Sequence, residues 1–362
     1  MRGTRLELRS HALKQNARRA AQLAGAASVF AMVKANGYGH GLGFVASSLV
    51  GEVSGFGVAL LDEALQLRAE GILQPVMLLE GCFDAEELRE AAASHCELVL
   101  HSEWQIRLLE STVLPAPVNV WLKLDTGMHR LGLPLSHLAH YVQRIRACQQ
   151  VFISGVAGHF ACADNQSDEL SVLQLQRLTT AAMEYGVPFS AANSAALFRY
   201  PDSLGARVRP GIMLYGSSPF ADRNAQGLGL AVTQRLSARI IAINDVPSGD
   251  SVGYGCTWTA SKDSRIAVVS IGYGDGYPRH APSGTPVAVA NADSVWRRSL
   301  LVGRVSMDMI TIDVTELPQT AVGDEVELWG DHVSVDEVAR HCGTISYELF
   351  CRMTSRPERC YL

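Results

Sequence analysis

Residues 28–41 read SVFAMVKANGYGHG, and the fold can be read outward from them. The run 28–33 is almost wholly apolar, as a strand covered on both faces must be. It stops at Lys34, and Gly37, Gly39 and Gly41 then punctuate a turn. Similar short apolar runs recur downstream. The expected strands are 28–34, 55–60, 75–79, 96–100, 118–124, 151–158, 188–192 and 206–214. Amphipathic stretches fall between them at 62–70, 84–94, 103–110, 138–148 and 168–185, and an alanine-rich helix capped by Ser10 runs to Ala24 before the first strand. Strands alternating with helices imply parallel pairing, and eight such repeats imply a closed (β/α)8 barrel of the TIM type.

The pattern changes near Leu230. Strands with short turns are expected at 235–244, 251–258, 265–271, 286–290, 300–305, 310–314 and 325–329, with one helix at 334–341 in which Ser334 and Glu337 have capping-box spacing. The fold expected is therefore α/β: an N-terminal barrel over residues 1–228 and a mostly-β C-terminal domain over 229–362. The linker is placed at 217–229, which carries Pro219, Asp222, Asn224, Gly227 and Gly229, and the opening stretch 4–8 is a candidate extra strand of the β domain.

Composition excludes several classes. Of 362 residues 48% are hydrophobic and 19% charged, enough apolar mass for a large core and too much for disorder. A net charge of −5 argues against a nucleic-acid surface. The first ten residues, MRGTRLELRS, lack the apolar core of a signal peptide, and no apolar run reaches membrane-spanning length, so a cytoplasmic protein without membrane contact is expected. Eight scattered cysteines form no CxxC pair; reduced, mostly buried thiols and no metal site are expected.

Barrels carry their chemistry where the strands end. Strand one ends in Lys34, followed by Tyr38 and His40; strand five in Lys123 and Asp125, with His129 and Arg130 beyond; strand six at His159; strand seven at Asn193 and Ser194; strand eight carries Arg207, Arg209 and Gly211. All would face one spot above the barrel. A lysine drawn into a partly dry site loses stability as an ammonium and becomes a nucleophilic amine.

The stretch AMVKANGYGHG resembles the cofactor-lysine signature of the alanine racemases, with Lys34 at the lysine that holds pyridoxal phosphate. LKLDTGMHRLG, GHFACAD, ANSAA, RPGIMLYG, VGYGCTW, SIGYGDGYPR, GRVSMDM and TISYELF also resemble family motifs. They occur in the family's order and span residues 31–350. Ser306 is one departure, standing where some members carry cysteine.

The resemblance implies a two-base racemase that interconverts L- and D-alanine, with pyridoxal 5′-phosphate as cofactor and supplying peptidoglycan synthesis or alanine breakdown. By it Lys34 acts on D-alanine and Tyr254 on L-alanine, from opposite faces of the substrate. Arg209 lies against the cofactor's pyridine nitrogen, and His159 links Tyr254 to Arg209. Tyr38, Asn193, Ser194, Tyr347 and the N–H groups of Gly211 and Ile212 surround the cofactor, chiefly its phosphate. Arg130 and the Met307 backbone hold the substrate carboxylate. Lys123 matches a position often carbamylated, an anion that would anchor Arg130. Asp308 would lie behind the site or at a dimer entrance, and Asp313 would be structural. The family also implies a homodimer whose active sites draw Lys34 from one chain and Tyr254 and Met307 from the other. Competing readings are a serine or broad-specificity racemase, an amino-acid decarboxylase of the same fold, and a non-catalytic barrel that binds the cofactor; the C-terminal domain with Tyr254 argues against the last.

Overall fold

The structure is a computed structural model and describes residues 3–165, 169–290 and 295–362. The chain separates into two compact units. One comprises Leu13–Leu214 and Ser218–Leu230; the other comprises Met1–Ala12, Tyr215–Ser217 and Ala231–Leu362.

The first unit is a parallel barrel. Its strands are Ser28–Met32, Gly55–Val58, Val76–Leu78, Cys96–Leu100, Val118–Asp125, Val151–Ala157, Phe189–Ser190 and Arg207–Val208. Strands one to seven pair in order, and the eighth pairs with the first through Val208 and Val29. Between strands seven and eight, Ala206 N donates to Phe189 O and Arg209 N to Ala192 O, at 2.9 and 2.8 Å. These bonds close the ring.

Side chains alternate along a strand, so residues two apart share the inward face. Phe30, Glu97, Trp121 and Arg207 fill the N-terminal end of the barrel. The Arg207 guanidinium lies 4.2 Å from the Phe30 ring centre and 4.7 Å from that of Trp121. It pairs with Glu97, which also accepts from Trp121 Nε1 at 2.9 Å. Glycine stands at 55 and 155 because a Cβ there would strike Phe30 and Trp121 respectively. Counting by twos from this layer reaches Met32 then Lys34, Val99 then His101, Lys123, Ala157 then His159, and Arg209. The period that builds the barrel floor therefore delivers these polar groups to its C-terminal mouth.

Several expected boundaries move. The strand expected at 206–214 stops at Val208 and gives way to a 3-10 turn at Ile212–Tyr215, since Pro210 has no N–H to donate to a ladder. The strand expected at 188–192 contracts to Phe189–Ser190. The fifth helix spans Leu170–Tyr185; the expected start at Asp168 lies outside the described residues. Arg207 faces the barrel floor, not the mouth expected from its strand-end position.

In the second unit Arg5–Leu8 runs antiparallel to Gln234–Val246 and parallel to Glu358–Tyr361, within an eight-stranded sheet. Buried Arg235 ties this sheet together through Glu7, Glu325 and fully buried Glu327, at 2.8–2.9 Å. The strand expected at 251–258 is instead a small hairpin, Ser251–Val252 with Trp258–Thr259, around a 3-10 turn Tyr254–Cys256. Gly253 and Gly255, with φ of 77° and 73°, break the extended run. The strand expected at 300–305 lies earlier, at Trp296–Leu301. Ser334 caps the helix Val335–His341 by accepting from Asp336 N at 3.2 Å; Glu337 does not close the expected capping box but pairs with Arg298. A second helix, Ser346–Cys351, was not expected.

No described helix is long and apolar enough to cross a membrane, and no described His, Cys, Asp and Glu residues cluster as a metal site. None of the eight cysteines, all among the described residues, forms a disulfide, but only Cys82, Cys96 and Cys342 are buried, fewer than expected.

Candidate active site

Lys34 ends the first barrel strand and begins a backbone turn of unusual hand. Ala35, Asn36, Gly37 and Tyr38 have φ between 50° and 59°, one turn of left-handed helix. Such a turn strains each L-residue by about 1–2 kcal/mol, and strain of this kind collects at functional sites. Asn36 Oδ1 helps hold it, accepting from Leu42 N at 2.9 Å. The buried His40 ring contributes through Nδ1, 2.9 Å from Tyr38 O.

The turn aims Tyr38 back at the eighth strand. A Cβ on Gly211 would sit 2.5 Å from the Tyr38 hydroxyl, so only glycine lets the two approach. Ser194 meets them from strand seven. Its Oγ accepts from Gly211 N at 2.9 Å and Met213 N at 3.4 Å. Both lone pairs are thereby used, and the hydroxyl hydrogen is left for an incoming acceptor. Ser194 is free for this because Asn193, not Ser194, caps the short helix Ser194–Arg199, accepting from Ala196 N at 3.0 Å. Ile212 is fully buried beside them at the start of its 3-10 turn.

Across the mouth the charges are nearly all positive. Burial, followed by Arg209, Arg130 and Lys34, pushes the Lys123 amine down to about 8. Burial, then Arg209, Lys123, Arg130 and Lys34, pushes His159 down to about 3, so its ring is neutral at any ordinary pH. Arg209 is 7% exposed, and burial lowers it to about 10. It keeps its charge at neutral pH and donates to Ser190 Oγ and, at 2.6 Å, to Gly158 O. Hydroxyls, peptide donors and four cations converging on one mouth suit a phosphorylated, anionic ligand.

Three positioning residues escaped the sequence reading. Ser190 holds Arg209. Gln174, 1% exposed on the helix Leu170–Tyr185, donates to His159 O and accepts from Ala161 N, both at 3.0 Å. His101 stands on the inward face beside Lys123; its Nε2 lies 3.1 Å from Glu80 O, and its pKa is lowered, chiefly by burial. The i+2 count from charged Glu97 in CELVL was the signal for His101.

The remaining site candidates lie in the β unit. Tyr254 sits in its 3-10 turn, 70% exposed. Met307 is 53% exposed. Its loop is stitched to the 272–275 turn, where Gly274 N donates to Met307 O at 2.9 Å. Asp308 pairs with Arg356 at 2.7 Å, which also reaches buried Asp275 at 3.4 Å. Asp313 accepts from Thr315 N at 3.0 Å and from the Thr315 hydroxyl, a local turn. Tyr347 lies in the helix Ser346–Cys351.

Two family models match the chain. The one described as alanine racemase, N-terminal domain, matches residues 8–219, and the one described as alanine racemase, C-terminal domain, matches residues 233–361. The chain belongs to the alanine racemase family. A family relative from Alcanivorax borkumensis, named alanine racemase, is 58% identical over 359 residues, covering 99% of each chain. Among solved structures, the biosynthetic alanine racemase of Pseudomonas aeruginosa superposes with a TM-score of 0.96 at 44% identity, covering all of both chains. The alanine racemase of Acinetobacter baumannii gives 0.93 at 40% identity, again with complete coverage.

Proposed function

We propose that this chain is an alanine racemase that interconverts L- and D-alanine with pyridoxal 5′-phosphate. The observation that carries the reading is the barrel mouth: Lys34 shares it with Lys123, Arg130, His159 and Arg209, next to the Tyr38–Ser194–Gly211 cradle. That cradle fits a phosphate dianion, because the Ser194 hydroxyl hydrogen and nearby peptide groups present donors. Bound there, the cofactor would supply an electron sink for the substrate Cα.

The chain's own residues do the rest. Lys34 holds the cofactor and carries the proton on the face used by D-alanine; Tyr254 carries it on the face used by L-alanine. A single side chain on one face would return the proton where it came from, so inversion needs both. Arg209 would lie against the cofactor's ring nitrogen; as a cation at neutral pH with no acceptor, it would keep that nitrogen unprotonated, weakening the sink and limiting side reactions. His159, held neutral, joins Tyr254 to Arg209. Arg130 and the Met307 backbone hold the substrate carboxylate, and a carbamylated Lys123 anchors Arg130. Tyr38, Asn193, Ser194, Tyr347, Gly211 and Ile212 seat the cofactor.

The functional division is a cofactor barrel at 1–228 and a second-base domain at 229–362. The working form is a cytoplasmic homodimer, acting in peptidoglycan supply or alanine breakdown, in which Tyr254 and Met307 serve the partner's barrel. Their outward exposure supports this. Borohydride reduction of the cofactor-loaded protein, followed by peptide mass spectrometry, should place the pyridoxyl group on Lys34; labelling at Lys123 or Lys262 rejects the assignment. Mixing inactive Lys34→Ala and Tyr254→Phe chains tests sharing. Random pairing makes about half the dimers mixed, each with one intact site, so activity returns to about a quarter of wild type. Near-zero recovery with chain exchange verified rejects a shared site.

A further inference from the structure

The left-handed turn after Lys34 is held from the neighbouring βα loop by a carboxylate. Glu63 occupies the third position of the helix Leu61–Ala69, which follows barrel strand two. Its Oε1 accepts from Ala35 N at 2.6 Å. Its Oε2 accepts from Ala59 N at 2.9 Å and from Leu60 N at 3.4 Å. The last two contacts are what a helix N-terminus asks of a glutamate at this position. The first is not. It crosses 28 residues of sequence to the peptide that joins Lys34 to Ala35.

We propose that Glu63 is a positioning residue for Lys34. Its bond fixes the Lys34–Ala35 peptide plane and so the ψ angle of Lys34, and it holds the turn in a hand that three of its four residues would otherwise leave. The direction in which the lysine amine points into the mouth follows from that plane. Chemistry selects the carboxylate. Three N–H donors from two loops meet two acceptor oxygens and no donor. A glutamine would turn its NH2 toward one set of N–H groups, and an aspartate would be one methylene short of spanning both loops. The inference rests on Lys34 as the cofactor lysine and base.

The test uses Glu63→Gln, Glu63→Asp and a control, Asp62→Asn. Asp62 is the exposed carboxylate one residue earlier in the same helical turn. The first readout is amide hydrogen exchange on the cofactor-free chain. Exchange at residues 35–41 should speed at least about tenfold in Glu63→Gln, with the other barrel strands unchanged. The second readout is steady-state racemisation with cofactor saturating. For Glu63→Gln, kcat should fall about ten- to a hundredfold with KM changed less than about threefold, the signature of a misaimed base. Glu63→Asp should fall between wild type and Glu63→Gln. Wild-type exchange and kcat in Glu63→Gln would overturn the proposal. So would equal losses in Asp62→Asn, which would reduce the effect to charge at a helix end. If Glu63→Gln exchanges fast throughout, it has lost its fold, and Glu63→Asp is read by the same criteria. If instead borohydride fails to label Lys34 in the wild type, the assignment of Lys34 fails, and the exchange result still reports whether Glu63 clamps the turn.

Discussion

Lys123 should take up carbon dioxide, and its depressed pKa sets how readily. The free amine, not the ammonium, adds to CO2; the nitrogen loses one proton and gains a carboxylate, giving an anionic carbamate. With the amine near 8, about 9% of Lys123 is unprotonated at pH 7, against about 0.04% for an ordinary lysine, roughly a two-hundredfold gain. The cause is structural, since burial and the cations Arg209, Arg130 and Lys34 all oppose a further positive charge. The product reverses the sign at that point, turning a repelled neighbour of Arg130 into an anchor. Incubation with 13C-labelled bicarbonate from pH 6 to 9, read by carbon NMR, should show a carbamate signal that rises as pH climbs through about 8 and is missing in Lys123→Ala. The alanine variant should lose activity that high chloride or acetate partly restores, as a small anion fills the vacated place. Full activity in wild-type protein whose Lys123 stays unmodified at saturating bicarbonate would refute the reasoning.

His159 titrates near 3 in the folded chain and near 6.5 when unfolded, so between those values the unfolded state binds the extra proton. Stability of the cofactor-free protein should therefore be fully present above about 6.5 and fall as the pH drops toward 3, by up to about 1.4 kcal/mol per pH unit for one proton; urea titrations with His159→Phe, which should flatten that slope, check it. Arg207→Met leaves the Glu97 carboxylate buried without its cation and should cost about 3–5 kcal/mol, whereas the double replacement Glu97→Leu/Arg207→Met should recover most of it, as measured by urea unfolding. Tyr347→Ala should raise activity on serine relative to alanine by a modest factor, since a hydroxymethyl against a methyl is worth only about 1–3 kcal/mol; an unchanged ratio with cofactor still bound removes Tyr347 from the substrate pocket.

The barrel was legible because continuous apolar runs such as VFISGVAG and PVMLL have one plausible use, and because the polar residues that stop them fall at strand ends by construction. What escaped the sequence depended on pairing between distant segments. Arg207 and Arg209 look alike in RVRPGI, yet Arg207 turns to Glu97 on the floor and Arg209 to Ser190 and Gly158. Nothing local separates them; only the layer of Phe30, Trp121 and the glycines opposite does. The β-favouring residues of VGYGCTW predict a strand at Tyr254, but its two positive-φ glycines fold the segment into a 3-10 turn. The helix Ser346–Cys351 is too short to show a 3.6-residue period. The roles of Gln174 and Glu63 rest on hydrogen bonds between distant segments that no periodicity reports.

Racemisation itself is read most directly by polarimetry on separate L- and D-alanine solutions, with the protein loaded with pyridoxal phosphate and run beside Lys34→Ala and Tyr254→Phe. Both enantiomers should lose their rotation to the same racemic end point with the wild type, while each variant should leave the rotation standing or slow its loss by several orders of magnitude. Rotation that persists with the wild-type protein, or that decays at the wild-type rate when Tyr254 is phenylalanine, would contradict the two-base alanine racemase described here.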